Sequence, residues 1–117
     1  MKLVTDISLS ELSRMAQRMF EPLVKAVIDV KKGMIAIDAD MHSDEELYLL
    51  EQGSMQEDLW GINFWPEKYG TDEFVEFDSM INIRPRQNNR TRGVQDAAIR
   101  AQILDIVEKA VYIRPDV

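Results

Sequence analysis

A chain of 117 residues with 45% hydrophobic content and a formal net charge of −7 has the size of one domain and enough apolar material for a core. It contains no cysteine, which excludes disulfides, thiolate chemistry and cysteine-ligated zinc and fits a cytoplasmic protein. No run approaches the roughly 20 apolar residues of a membrane span, the N-terminus MKLVTDISLSE lacks the apolar region of a secretory signal, and the acidic balance argues against broad nucleic-acid binding.

The first helix is expected from Ile7 to Phe20. Ser8 and Glu11 have the spacing of a capping box, with Ile7 and Leu12 as its hydrophobic staple. Leu9, Leu12, Met15, Ala16, Met19 and Phe20 form one apolar stripe, and Pro22 ends it. Leu23 to Lys31 alternates as a strand, with Val24, Ala26, Ile28 and Val30 on one side and Lys25, Val27, Asp29 and Lys31 on the other. Lys32-Gly33 is expected as a two-residue hairpin turn into a second strand, Met34 to Asp38. That turn sets Val30 opposite Ile35 and Ile28 opposite Ile37.

Ser43 to Gln52 is expected as a second helix. Ser43 and Glu46 repeat the capping box, Asp44 and Glu45 suit its positive end, and Gly53 stops it. Leu59 to Trp65 is the third strand, with Trp60, Ile62 and Phe64 on one face, terminated by Pro66. Phe74 to Arg84 alternates as the fourth: Val75, Phe77, Ser79, Ile81 and Ile83 against Glu76, Asp78, Met80, Asn82 and Arg84. Pro85 ends it. Ala97 to Ile113 is the third helix, burying Ile99, Ile103, Ile106, Val107, Ala110 and Val111.

The fold class is therefore α+β, in the order α-β-β-α-β-β-α: one domain over residues 1–117, with a four-stranded, mainly antiparallel sheet and helices packed on one face. The other face would carry Lys25, Asp29, Asp38, Asn63, Trp65, Glu76, Asp78, Asn82 and Arg84 among Val27, Leu59, Phe74 and Met80. A half-apolar open face of this kind suggests a ligand surface, a homodimer interface, or partial cover by the last helix.

Charge is uneven. Gly33 to Glu67 holds nine acids and no lysine or arginine, whereas Arg84, Arg86, Arg90 and Arg92 fall within nine residues that contain no carboxylate. Such a loop, set before a helix N-terminus, has the donors to hold an anion, or it pairs with the chain's own acids. Asp38, Asp40 and His42 place three ligand-type side chains close together. With one histidine in the chain, a multi-histidine zinc site cannot be built, and no metal or other cofactor is expected. Glu76 and Asp78 lie on one strand face, where they form either an acid–base pair or part of a salt-bridged network.

The segments VKAVIDVKKGMIAI, HSDEELYLLEQGS, DLWGINFWPEK and EFDSMINIRPRQNNRTRGV resemble those of a small prokaryotic family known as a domain of unknown function. The resemblance runs from about Leu12 to Val107, and its most specific motif is DSMINIRP followed by NRTRGV. It implies no established activity. It implies that His42, Asp78, Asn82, Arg84, Asn89, Arg90 and Arg92 have equivalents in the family. It also implies that glycines often stand where this chain has Asp38 and Asp40, which weakens a metal site there.

The functional expectation is a non-enzymatic binding or regulatory domain. Asn82, Arg84, Arg86, Asn89, Arg90 and Arg92 would hold an anionic small molecule or an acidic protein segment. The alternative is a small metal-independent nuclease or phosphoryl-transfer enzyme, with His42 or Asp78 as general base.

Overall fold

Alternation in the middle of the chain builds the sheet. The computed structural model describes residues 1–113. In chain order its elements are strands β1 (Lys2–Val4) and β2 (Ile7–Ser8), helix α1 (Leu9–Gln17), strands β3 (Val24–Asp29) and β4 (Met34–Ile37), helix α2 (His42–Glu51), strands β5 (Leu59–Phe64) and β6 (Val75–Glu76), helix α3 (Ala97–Ala110) and strand β7 (Val111–Tyr112). The main sheet has the strand order β1-β4-β3-β5-β6 and is antiparallel throughout. The expected α+β class stands, and the order α-β-β-α-β-β-α is kept with β1 and β2 added before α1 and β7 after α3; the main sheet has five strands in place of four.

The two sheet faces are buried differently. Val24, Ala26, Ile28, Ile35, Ile37, Trp60, Ile62 and Phe64 project into the larger core, which α1 closes with Leu12, Met15 and Ala16 and α3 with Ile103, Val107 and Ala110. On the opposite face Val27, Ala36 and Leu59 are fully buried with Leu49 of α2, in a small second core. The helices therefore divide, two on one face and α2 on the other. Of the apolar residues of the expected open face, Val27 and Leu59 are covered by α2, Phe74 joins the larger core on the other face, and Met80 stays exposed. The inward face of α2 is Glu45 and Leu49, too thin an apolar stripe to show in the sequence which side of the sheet it takes.

The hairpin differs from expectation by two residues. Ile28 pairs with Ile35 and Ala26 with Ile37, so four residues, Val30 to Gly33, form the turn. Asp29 causes this: its carboxylate accepts from the Lys31 and Lys32 amides, at 2.9 Å each, and its carbonyl accepts from Gly33 at 2.8 Å. A slip of two residues leaves every side chain on its face, so the core pattern survives.

Both long helices are shorter than expected. Ile7 and Ser8 leave α1, and Val111 leaves α3, to pair as the parallel strands β2 and β7. Ser8 still caps α1, accepting from the Glu11 amide at 3.2 Å. The Glu11 side chain turns instead to Lys2, also at 3.2 Å, so the box is half formed. Helix α2 begins one residue early, at His42, and its N-cap Met41 makes no side-chain bond. Gly53 ends it with φ of +96°, a conformation that favours glycine.

The fourth expected strand is the largest departure. Pairing stops at Glu76, and Met80–Asn82 form a 3₁₀ turn capped by Ser79, whose hydroxyl accepts from the Ile81 amide. The alternation from Phe77 to Arg84 was thus not a strand. Two polar positions within it, Ser79 and Asn82, are at most 1% exposed because their side chains hold main chain.

Candidate functional site

Sheet register places Lys25 of β3 opposite Asn63 of β5, and Asn63 opposite Glu76 of β6. Alternation puts all three on the α2 face. There they line a cleft of about 370 Å³ together with His42 and Ser43 from the start of α2, Trp65, the Asp78–Ile81 segment and Arg92. The sheet face is thus apolar under α2 and polar beyond its N-terminal end. Several residues of the expected open face meet in this cleft.

Asn63 is 5% exposed. Its Nδ2 donates to Glu76 Oε1 at 2.8 Å and to the Asp78 carbonyl at 3.3 Å. These bonds assign the carboxamide orientation and turn Oδ1 the other way, where it is buried with no partner. An unpaired buried acceptor costs about 1–3 kcal/mol. Trp65 Nε1 donates to the same Glu76 oxygen at 3.2 Å, so Glu76 is held by Asn63 of β5 and by Trp65 just beyond its end. Lys25 Nζ donates to the Asp40 carbonyl at 2.9 Å.

His42 Nε2 lies 2.8 Å from the Ile62 carbonyl. A carbonyl only accepts, so Nε2 carries the proton and Nδ1 is the free acceptor of the neutral ring. Burial lowers the His42 pKa below 6.5, the Ile62 bond opposes that shift, and Lys25 adds to it. Asp78 Oδ1 accepts from Arg92 Nε at 2.6 Å. This ion pair is largely exposed, with side-chain exposures of 55% and 41%, and contributes little to stability.

The arginine loop does not gather into one site. Arg84 folds inward: its guanidinium lies 4.2 Å from the centroid of the Trp60 ring and donates to the carbonyls of Gln56 and, at 2.8 Å, Leu59. Arg86 and Arg84 line a different groove with Gln56 and Glu57. Arg90 is exposed. Neither Arg86 nor Arg90 makes an ion pair among the described residues. Arg92 alone of the four lines the cleft.

Asn82 and Asn89 are the loop's internal frame. Asn82 Oδ1 accepts from the Gly61 amide at 2.8 Å, and its Nδ2 donates to the Gly61 carbonyl at 3.0 Å and the Arg92 carbonyl at 2.9 Å. The carboxamide so occupies the main-chain groups of β5 that a longer β6 would have paired. Asn89 Nδ2 donates to the carbonyls of Asn82, Thr91 and Gly93, and its Oδ1 accepts from Gln95. Asn88, at φ of +58°, closes the reversal between Arg84 and Asn89, whose main chains pair.

Asp38 pairs with Arg18 at 3.1 Å. Among the described residues no three His, Asp or Glu side chains group as a metal site, and no helix is long and apolar enough to cross a membrane. Glu45, expected from the sequence only as an acid at the positive end of α2, is fully buried instead. Its Oε2 accepts from the Ala39 amide at 3.3 Å, and Oε1 has no partner. Burial pushes its carboxyl up to about 9. Its place four residues before Leu49 was the one available signal, since i and i+4 share a helix face.

No match is found among curated proteins or among solved structures. Residues 2–110 match the model of a family described as a protein of unknown function, DUF5674. That match spans nearly all of the chain, including every element that builds the cleft, and the chain belongs to this family.

Proposed function

We propose that this chain is a small non-enzymatic binding domain that holds the anionic group of a small molecule in the cleft at the N-terminal end of α2. One observation carries the reading: Lys25, His42 and Arg92, from three separate parts of the chain, line the same cleft. Lys25 uses one of its three donors on the Asp40 carbonyl and has two to offer. Free amides at the start of α2 and the positive end of its dipole favour the same charge. Arg92 is held at the rim by Asp78. Arg84, Asn82 and Asn89 act in this reading as the frame that places Arg92, and the exposed Arg86 and Arg90 lie outside the site.

The test is a thermal-shift and calorimetric titration with inorganic phosphate and small carboxylic and phosphorylated acids. A compound at 100 times its dissociation constant stabilises the fold by about 2.7 kcal/mol. That gain is expected in the native chain and in Arg90→Ala, and is lost in Lys25→Ala and Arg92→Ala. Equal binding by all four proteins, or equal loss in Arg90→Ala, would refute the assignment.

A second reading is a small metal-independent nuclease or phosphoryl-transfer enzyme. Its support is that His42, with a free Nδ1, lines the same cleft as Asp78. Against it, Glu21, Glu76 and Asp78 in the lining outnumber Lys25 and Arg92, a poor balance for a phosphate chain. Cleavage of short RNAs that disappears in His42→Ala and persists in Arg90→Ala would establish it.

A further inference from the structure

We infer that the ligand of this cleft is zwitterionic, with the headgroup of a free α-amino acid. The inference rests on the anion-binding reading above and names the rest of the ligand. Three observations carry it.

The first is Asn63. It is 5% exposed, its Nδ2 is committed to Glu76 and the Asp78 carbonyl, and its Oδ1 has no donor. Asn63 thus fixes Glu76 in the lining of the cleft, and its Oδ1 is left as a buried acceptor on the side away from the two carboxylates. The second is the pair of carboxylates beside it. Glu76 uses only Oε1, for Asn63 and Trp65, and Asp78 uses only Oδ1, for Arg92. One oxygen of each is left to accept from a cation.

The third is charge balance. With neutral His42, the lining carries Lys25 and Arg92 against Glu21, Glu76 and Asp78. A compact dianion would meet net repulsion there. A headgroup with one charge of each sign would not. The register sets the order: Lys25, Asn63 and Glu76 form one row across three strands. The ligand carboxylate belongs at the Lys25 end, beside the start of α2. The ammonium belongs at the opposite end of the row, against the free oxygens of Glu76 and Asp78. A cleft of about 370 Å³ is at the small end for ligand sites, which suits a single amino acid.

The experiment is a titration of the full chain, followed by NMR and thermal shift, with the common L-amino acids. Each is set beside its deaminated acid and its decarboxylated amine, and inorganic phosphate is included. One or more amino acids are expected to shift the His42 ring and Asn63 side-chain signals. Each half-molecule should bind about a hundred-fold more weakly, the worth of one charged hydrogen-bonded contact. Glu76→Gln should lower affinity for the amino acid and leave that for its acid unchanged. The native-chain comparison of amino acid with acid stands even if that variant misfolds. Equal affinity for an acid and its amino acid would overturn the zwitterion and leave the anion reading intact. So would binding of phosphate alone. Binding of none of them at millimolar concentration would overturn both.

Discussion

Replacing Glu45 by glutamine should make the protein more stable, and increasingly so as pH rises. Glu45 is fully buried in α2, with a single acceptor bond from Ala39 and a carboxyl pushed up to about 9 by burial. In the unfolded chain the same group titrates near 4.5. Between those values the folded state holds one proton more than the unfolded state, so stability falls as pH rises. Each pH unit in the window is worth about 1.4 kcal/mol, so Glu45 should remove about 4 kcal/mol between pH 5 and pH 8. Domains of this size have only about 5–15 kcal/mol in all. Glutamine keeps the acceptor for Ala39 and carries no proton to lose. Urea unfolding of both proteins from pH 5 to pH 8 isolates the effect, since every other titrating group is common to the two. The curves should meet near pH 5 and diverge steadily above it. Parallel curves would show that Glu45 is ionised in the fold, and the account of its burial would be wrong.

Asn82→Ala should destabilise by about 2–4 kcal/mol, because it orphans the amide and the carbonyl of Gly61; a change below about 0.5 kcal/mol in chemical denaturation would contradict the role given to its carboxamide. Gly61→Ala places a Cβ 2.6 Å from Ser79 Cβ and 3.2 Å from His42 Cδ2, so it should cost about 1–3 kcal/mol by overpacking and disturb the His42 ring signals in NMR. Arg84→Ala should lower the melting temperature through the loss of its contacts with Trp60, Gln56 and Leu59, whereas Arg90→Ala, at an exposed position, should stay within about 0.5 kcal/mol of the native chain. His42, lowered below 6.5 by burial, should titrate by NMR at more acid pH than a free histidine. Its contribution to stability is present above 6.5 and is lost as pH falls through its folded value, the opposite sign to Glu45.

The sheet was legible because its signal is redundant. Val24, Ala26 and Ile28 alternate against Ile35 and Ile37, and Trp60, Ile62 and Phe64 repeat the period, all with one shared core. A register slip of two could not disturb such a pattern, which is why the core was readable when the turn was not. The fourth strand failed for the same physical reason in reverse. Period two between Phe77 and Arg84 was counted from side-chain type, yet Ser79 and Asn82 are buried to bond main chain, and Asn82 reaches Gly61, 21 positions away in sequence. No local pattern carries such a long-range bond. The loop arginines cluster in sequence, but charge in sequence does not say where a long side chain folds. Arg84 turns in over Trp60 while Arg92 turns to Asp78. Lys25, Asn63 and Glu76 were each placed on the right face, and only the strand order made them a row.

The cleft exists because β6 is short. Had pairing continued past Glu76, the chain would have run along β5 beside Gly61, and Asp78 and Ser79 would have been strand residues on alternate faces. Instead the strand ends, and the Asn82 carboxamide takes up the Gly61 main-chain groups that the missing strand would have used. This satisfies the open edge at the cost of burying a polar side chain that is fully bonded. The chain released at Glu76 lifts away from β5, and the bonds from Ser79 and Asn82 to the Arg92 carbonyl bring the far end of the arginine loop back to the same point. Asp78 and Arg92 are thus delivered together to the rim, opposite the start of α2. The same glycine that admits Asn82 also leaves room for the His42 ring, whose Nε2 bonds the next carbonyl along β5, that of Ile62. One early strand end and one glycine therefore place His42, Asp78 and Arg92 around the row of Lys25, Asn63 and Glu76. In the proposed binding reading, the asparagines of the loop support the site rather than touch what it binds.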